Sequence, residues 1–446
     1  MIAQRRGHCP GVLHPMTTGD GLLARMTPSS PISLDAFAAL CDASQAYGNG
    51  IMEVTQRGSL QVRGLSPASA PAFARAVAAL EPAQEGLPPV LTSPLLGLDC
   101  AERADLRGLV AALLGAMRDC IDLASIGPKV SVLIDGGGAL HLDEVTADLR
   151  LRAGEGSRIH LSIAGSAEAA TSLGWVEASR ATDAVVRLLT AIAGRGACAR
   201  ARDLTNARDL HALRQSLADM LSAAPPPAPR PRAEVIGAHY LNTGLQALGL
   251  ALPFGYLEAQ ALRRLTLAAA RCGAASIRPA PGRALLIIGL DHSGMETLLH
   301  AAEREKLITQ PHDARRHVVA CAGAPACSSA MLPTRQLAVQ VAEAAGPLLD
   351  GSLTIHLSGC TKGCAHPGAA GLTLAGPDRL VVHGRAGDEP HARMSAADFI
   401  AGLRGLHPGT PATHGALAAV LREPDFISRL RRPQPTAPVH GEPRHG

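Results

Sequence analysis

The sequence predicts an α+β fold built twice, and three features carry that expectation. A proline-rich segment, "SAAPPPAPRPRAE" from Ser222 to Glu234, falls at the midpoint of the 446-residue chain. On either side of it a similar pattern recurs without gaps at an offset of 225 residues. Each copy is followed by a longer stretch of mixed strand-like and helix-like periodicity, which predicts an α/β segment.

The first copy opens at Gly21 with "GLLARM" and the second at Gln246 with "QALGLA". Pro28 aligns with Pro253, Gly48 with Gly273, and Gly64-Leu65 with Gly289-Leu290. Both copies read as strand, turn, amphipathic helix, strand, tight turn, strand and a further helix, giving a small sheet with helices on one face. Residues 16–85 and 235–308 are therefore expected to be two equivalent halves, with 86–221 and 309–410 as the α/β segments. Between them, four prolines within five positions cannot continue a helix, so 222–234 is expected to be an extended, semi-rigid linker. Residues 411–446 are expected to form a helix and a disordered tail. In the first α/β segment, "IGPKVSVLIDGGGALHLD" reads as a hairpin turning at Asp135-Gly136. In the second, "RRHVVACAGAPAC" reads as a strand running into a loop.

The copies differ in charge. Arg25, Arg57 and Arg63 align with Leu250, Gly282 and Ile288. One exposed arginine on a strand is ordinary, but three aligned losses imply that only the first half kept an anion-binding face.

Composition narrows the function. A formal charge of +4 and 2% aromatic residues leave no basic-aromatic platform for nucleic acid. No apolar stretch reaches the ~20 residues that span a bilayer, and the twin arginine near the start lacks a following hydrophobic region, so a cytoplasmic protein is expected. Ten cysteines in a chain of this size are then thiols or metal ligands rather than a disulfide framework.

Four of those cysteines form a constellation. Cys321 and Cys327 flank "AGAPA"; Cys360 and Cys364 flank "TKG" after a gap of 32 residues. Four thiolates on two loops suit a tetrahedral ion or a [4Fe–4S] cluster. The five-residue spacing weighs against zinc, whose knuckles are tighter, and a cubane accommodates longer ligand loops. Gly359 and Gly363 permit close backbone approach. Pro333 suits the first turn of a helix, and that places Cys327 near a positive helix end that favours thiolate. Cys41, Cys120 and Cys272 fall on apolar helical faces and read as core, whereas Cys100 and Cys198 stand alone. Cys9, with His8 and His14, reads as structural or as a further set of metal ligands. Lys362, between the paired cysteines, either tunes a cluster or is a solvated loop residue.

The C-x5-C pair followed by "SGCTKGC" resembles the cluster motif of the nitrite and sulfite reductases, as "EVTQRGSLQVRGL" resembles their strand with a threonine–arginine pair, here Thr55 and Arg57. "RRGHCP", "PMTTGDGLLARM" and "GNGIMEVTQRGSLQVRGL" resemble most the precorrin-3B synthase branch of that family. The resemblance implies two duplicated ferredoxin-like halves and two α/β segments about a pseudo-twofold axis. It implies that Cys321, Cys327, Cys360 and Cys364 ligate a [4Fe–4S] cluster, Cys364 at the position that also bridges to haem iron in the sirohaem enzymes. Arg25, Thr55, Arg57, Arg63 and Lys129 would bind substrate. Lys129 aligns with the first lysine of a Lys-x-Lys pair that holds sulfite; the second is Ser131 here, and that departs from small-anion reduction.

The activity implied is O2-dependent hydroxylation of precorrin-3A at C20 with γ-lactone closure, which prepares ring contraction in aerobic cobalamin biosynthesis. The branch carries a cluster and a mononuclear non-haem iron, whose ligands the sequence does not assign, and NADH is the ultimate reductant. Neither "GRGACA", which follows helical periodicity, nor "DGGGAL" is a nicotinamide fingerprint, so electrons are expected from a separate reductase or ferredoxin. The alternative enzyme is a sirohaem-dependent sulfite or nitrite reductase. A non-catalytic iron–sulfur scaffold would call for a basic partner surface that the mild net charge does not supply.

Overall fold

The computed structural model describes residues 10–78, 87–120, 125–127, 129–406 and 416–431. Cys9, His8, the "RRGH" segment and the tail beyond Arg431 lie outside them, as does the side chain of Cys120. Two compact units divide the chain: one holds Gly21–Pro311 with the residues before Thr18, the other His312 onward with Thr18–Asp20.

The first unit opens with β1 (Met16–Thr18), β2 (Gly21–Met26), β3 (Ile32–Ser33), α1 (Leu34–Tyr47), β4 (Ile51–Val54), β5 (Leu60–Leu65) and α2 (Ala70–Val77). An α/β segment follows: β6 (Val90–Thr92), α3 (Arg107–Cys120), β7 (Val132–Asp135), β8 (Ala147–Ala153), β9 (Arg158–Gly165), β10 (Thr171–Glu177), α4 (Ala181–Ala193) and α5 (Ala207–Ser216). The second half comprises β11 (Gly237–Tyr240), β12 (Gln246–Ala251), β13 (Tyr256–Glu258), α6 (Ala259–Arg271), β14 (Ser276–Ala280), β15 (Ala284–Leu290) and α7 (His292–Arg304).

The internal repeat holds element by element. β2 and β12, α1 and α6, and β4 and β14 each begin 225 residues apart. Gly64 and Gly289 both take positive φ, at 72° and 99°. A Cβ at Gly64 would lie 2.4 Å from Asn49 Cβ, which accounts for glycine at this turn. Ser33 caps α1, its hydroxyl accepting from Ala36 N–H at 3.3 Å.

The halves are not separate modules. Strand alternation sends Met52, Leu60 and Val62 of the first sheet into one hydrophobic core with Ile277, Leu285 and Ile287 of the second, and Phe37, Leu40, Leu262 and Leu265 of the helices join them. Each half also lends a strand to the other's sheet. β13 pairs antiparallel with β4, and β3 pairs with β14, giving sheet orders β1-β2-β5-β4-β13 and β11-β12-β15-β14-β3. A half excised alone would lose a sheet strand and expose its apolar face.

The α/β segment differs from the expected hairpin at 126–143. β7 ends at Asp135, whose carboxylate accepts from Gly137 N–H at 2.8 Å, and no strand follows before β8. β6, β7 and β8 instead run parallel, with α3 as the crossover, before β9 and β10 return antiparallel. Turn chemistry alone does not separate a tight hairpin from a loop between parallel strands.

The proline-rich segment is docked on this sheet, a difference from a free spacer. Backbone carbonyls three residues apart meet the domain in succession. Ser222 exchanges backbone bonds with Trp175, Pro225 O accepts from Trp175 Nε1 at 3.0 Å, Ala228 O from Arg152 at 3.0 Å, and Pro231 O meets His141 Nε2 at 2.7 Å. Three is the repeat of a polyproline helix, which turns one carbonyl in three to the same side. Arg230 anchors the strap by bonding Asp135 and, at 3.0 Å from Nε, Asp143.

The second unit repeats the α/β topology with β16 (Val318–Ala320), α8 (Thr334–Ala345), β17 (Ile355–Ser358), β18 (Ala370–Ala375), β19 (Arg379–Gly384), β20 (Ala392–Arg393) and α9 (Ala396–Gly405). β16, β17 and β18 are parallel and β19 and β20 antiparallel. Where one C-terminal helix was expected, Ala416–Val420 and Phe426–Leu430 are two short ones; Pro424 between them cannot continue a helix. Among the described residues no helix is long and apolar enough to cross a membrane.

Candidate functional site

Adjacent parallel strands bring the two cysteine pairs together. Ala320, the last residue of β16, is in register with Leu357 of β17, so the loops that follow both strands leave the same carboxyl edge. Cys321 comes directly after β16, its N–H donating to Leu357 O at 3.2 Å, and Cys360 comes two residues after β17. Gly359 N–H donates to Cys321 Sγ at 3.1 Å, and Met331 N–H to Gly359 O at 2.7 Å. The Cys364 thiol is pushed up by burial and then by the charges of Cys360, Cys321 and Cys327, with Lys362 opposing them. The other three thiols are thus within electrostatic reach of Cys364.

The backbone there has no room for side chains. A Cβ at Gly323 would sit 2.3 Å from Thr334 Oγ1, and one at Gly359 2.4 Å from Ala330 Cβ. Gly323 and Gly363 take φ of 68° and 62°. At the start of α8 the Cys321 sulfur is 3.7 Å from Thr334 Oγ1, the first helical residue. Cys364 is exposed while the other three are half-buried. Among the described residues no three His, Cys, Asp or Glu side chains are grouped to hold a single metal ion. What brings the two cysteine loops side by side is the parallel pairing of β16 and β17 and the Gly359–Cys321 hydrogen bond. Among the described residues no ligand set for a mononuclear iron emerges. Lys362 Nζ reaches Ser329 Oγ at 3.2 Å, and buried His356 meets the His366 ring edge-on at 5.6 Å.

In the first unit the equivalent loops have lost the thiols. The register of β6 with β7 puts Ser93 and Gly137 where Cys321 and Cys360 stand. Carboxylates fill the space: Ser93 donates to Asp135 at 3.3 Å, Ala139 N–H to Asp99 at 2.6 Å, and Gly97 N–H to Glu102 at 2.6 Å. Burial, with Asp99, Asp105 and Asp135 nearby, raises Glu102 from 4.5 to about 7. The folded state therefore binds a proton more readily than the unfolded chain, and Glu102's contribution to stability is full below pH 4.5 and lost as pH rises through about 7. Glu102→Gln is expected to raise the unfolding free energy at pH 8 by about 1 kcal/mol once half-exposure is allowed for, and to match the wild type below pH 4.5. A pH series of urea titrations checks this.

The predicted substrate residues separate into two places in the first unit. On the sheet face opposite the shared core, Arg25, Glu53, Gln61 and Arg63 form one polar layer. Arg63 Nε lies 3.8 Å from Glu53. With its amide oriented to suit its neighbours, Gln61 donates to Glu53 at 2.8 Å and accepts from Arg25 at 2.6 Å and 2.8 Å. The equivalent face of the second half is apolar: Leu286 and Ile288 pack there with Leu95, Leu140 and Ile236. That burial excludes a guanidinium at Ile288, the counterpart of Arg63, while Leu250, the counterpart of Arg25, packs in the shared core.

Arg57 stands apart, exposed at the β4–β5 turn, where Nη2 donates to Thr146 Oγ1 at 2.8 Å. Thr55 builds that turn: its hydroxyl accepts from Ser59 N–H at 3.0 Å. Lys129 is exposed just before β7, and Thr146 just before β8, so both stand at the amino edge of the parallel strands. Ser131 is committed to the fold, its N–H donating to Asp148 at 3.0 Å, and Arg200 clamps the same carboxylate at 2.7 Å and 2.8 Å. Arg57 also lines a small cleft of about 20 Å³ with Thr27, Thr92 and Arg278. Arg278 was not singled out from the sequence, because its alignment partner is an acid, Glu53, and it reads as an isolated strand arginine.

Comparison with known proteins places these features. The description "Nitrite/Sulfite reductase ferredoxin-like half domain" matches residues 14–80. A precorrin-3B synthase from a Sinorhizobium species is 39% identical over 88% of this chain and 86% of its own length. A ferredoxin–nitrite reductase from Synechococcus elongatus is 26% identical over 81% of this chain and 77% of its own. Among solved structures, the NirA protein of Mycobacterium tuberculosis superposes with a TM-score of 0.71 at 17% identity, over 91% of this chain and 84% of that one. The architecture is thus the nitrite/sulfite reductase fold.

Proposed function

The chain belongs to the precorrin-3B synthase family, an oxidoreductase branch on the nitrite/sulfite reductase fold, and on that premise we propose that it converts precorrin-3A to precorrin-3B. The reaction places oxygen from O2 on C20 and closes a γ-lactone from an acetate side chain. The observation that carries this reading is the 39% identity over 88% of the chain.

Cys321, Cys327, Cys360 and Cys364 would hold a [4Fe–4S] cluster, which supplies single electrons when bound. Around it, Gly359 N–H gives a hydrogen bond to sulfur, and hydrogen bonds to cluster sulfurs raise the potential. In the first unit, guanidinium groups suit the carboxylates of a tetrapyrrole because each offers two parallel donors. The turn built by Thr55 presents Arg57 for this role. Arg25 and Arg63 tie into the Glu53–Gln61 layer, so their role is to supply positive potential from a fixed position. Lys129 adds one mobile ammonium. Reduction of sulfite or nitrite needs a second proton donor beside it, and Ser131 faces Asp148 instead, which disfavours the sirohaem alternative.

The expected electron source is a separate reductase or ferredoxin, with NADH behind it, acting on a cytoplasmic enzyme. Anaerobically purified protein given precorrin-3A, a reducing partner and isotopically labelled O2 is expected to release product carrying one labelled oxygen at C20. Product with oxygen drawn only from water, or turnover of sulfite in its place, would remove the reading.

A further inference from the structure

Among the described residues Arg278 is a cation with no protein counter-charge. It occupies on β14 the position that Glu53 holds on β4, but the polar layer around Glu53 has no equivalent here. Its cross-strand neighbour is Leu286, and Ala280, Ala284 and Ile288 of the same face join an apolar cluster. The residue is 5% exposed. Nη2 donates to Thr92 Oγ1 at 2.6 Å, and among the described residues no carboxylate pairs with it. Burial alone pushes its pKa down to about 10, so the guanidinium stays charged at neutral pH. A buried charge of this kind is costly unless an anion meets it, and the cleft it shares with Arg57 and Thr27 is polar and small. Its roughly 20 Å³ admits a group about the size of a water molecule, such as the head of a carboxylate, and excludes a macrocycle.

We propose that Arg278, held by Thr92 and joined by Arg57, forms a carboxylate-binding subsite that takes one acid side chain of the tetrapyrrole; this rests on the function proposed above. Arg278 supplies the buried charge, Arg57 closes over the side chain from the solvent side, and the ring itself stays outside the cleft. A free inorganic anion would satisfy the same chemistry, so the test separates the two sources.

Full-length wild type, Arg278→Met and Arg278→Lys are prepared anaerobically. Their affinity for precorrin-3A is titrated by absorbance, and their thermal midpoints are measured in chloride, acetate and sulfate at constant ionic strength. Arg278→Met is expected to bind the tetrapyrrole about tenfold or more weakly, the loss of a charge-assisted bidentate contact. Its midpoint in chloride should equal or exceed the wild type's, because an unpaired buried charge has been replaced by an apolar chain of similar volume. Acetate should stabilise the wild type and not this variant. Arg278→Lys keeps the charge without the two-pronged geometry and should bind weakly as well, which carries the test if the methionine variant does not fold. Unchanged tetrapyrrole affinity in both variants overturns the subsite and leaves the proposed function standing. Wild type that binds no tetrapyrrole, yet gains stability from acetate through Arg278, overturns the function and leaves a carboxylate site. Stabilisation by sulfate equal to acetate, with unchanged tetrapyrrole affinity, marks a free-anion site and overturns the proposal.

Discussion

Cys360→Ser, purified without oxygen, is expected to lose its cluster iron and acid-labile sulfide together and to fall below detectable hydroxylation of precorrin-3A. Cys360 follows β17 on the same edge that carries Cys321 after β16, and the proposed cluster would take its sulfur as one of four ligands. A serine hydroxyl is a poor ligand for iron–sulfur chemistry, where thiolate softness selects the cluster. The fold should survive, since Cys360 is half-buried and lies outside the regular strand. Unchanged far-ultraviolet dichroism with absent cluster absorption is the outcome expected. Full iron and sulfide content in the variant would show that the four thiols do not act as one ligand set.

Arg230→Ala is expected to destabilise the first unit strongly. The guanidinium bonds Asp143 at 2.5 Å and 3.0 Å and also reaches Asp135, which is 1% exposed. Burial would raise Asp143, and the bonds and charge of Arg230 overcome it and hold the carboxyl below its usual range. In the wild type this contribution is present above the unfolded value near ~4 and lost as pH falls through the lowered folded one. Without Arg230 the buried Asp135 and the half-buried Asp143 lose their main partner, at a cost of about 3–5 kcal/mol. The sign of the pH effect then reverses: the variant's deficit is largest at neutral pH and shrinks as the carboxylates take up protons on acidification. The strap should also open to proteolysis between residues 222 and 234. Urea titrations at pH 7 and pH 4.5 with limited proteolysis measure both; equal midpoints with a protected strap would contradict the account.

Much of this architecture was legible in local pattern. The offset of 225 residues aligns α1 with α6 and β4 with β14, because periodicity and turn glycines are properties of short stretches. The cysteine spacing was legible for a similar reason, since a loop's reach is set by its length. The arginine asymmetry was visible too, although its cause was not: Leu286 and Ile288 replaced polar residues because that face packs against Leu95 and Leu140 from another segment.

Other expectations failed where the deciding contact lies far along the chain. The reading of 126–143 as a hairpin failed because β7 finds its partners in β6 and β8, and parallel pairing leaves no mark in a turn. The strap's carbonyls at Ser222, Pro225, Ala228 and Pro231 repeat every three residues in any polyproline stretch; only Trp175, Arg152 and His141 turn that repeat into a docking edge. Thr55 stands beside Arg57 in the sequence, and only the structure shows its hydroxyl accepting from Ser59 N–H to build the turn. Arg278 gave no local signal, since its importance is an uncompensated charge, and compensation is a property of every residue that surrounds it.

Residue type and spacing thus set which segments become strands, where the chain repeats itself and which thiols can serve together. Only the packed molecule decided which face is polar, which linker is bound and which arginine lies buried without an acid. The division follows from range: torsional preference and periodicity act over a few residues, whereas burial and charge pairing are settled by neighbours brought in from anywhere in the chain.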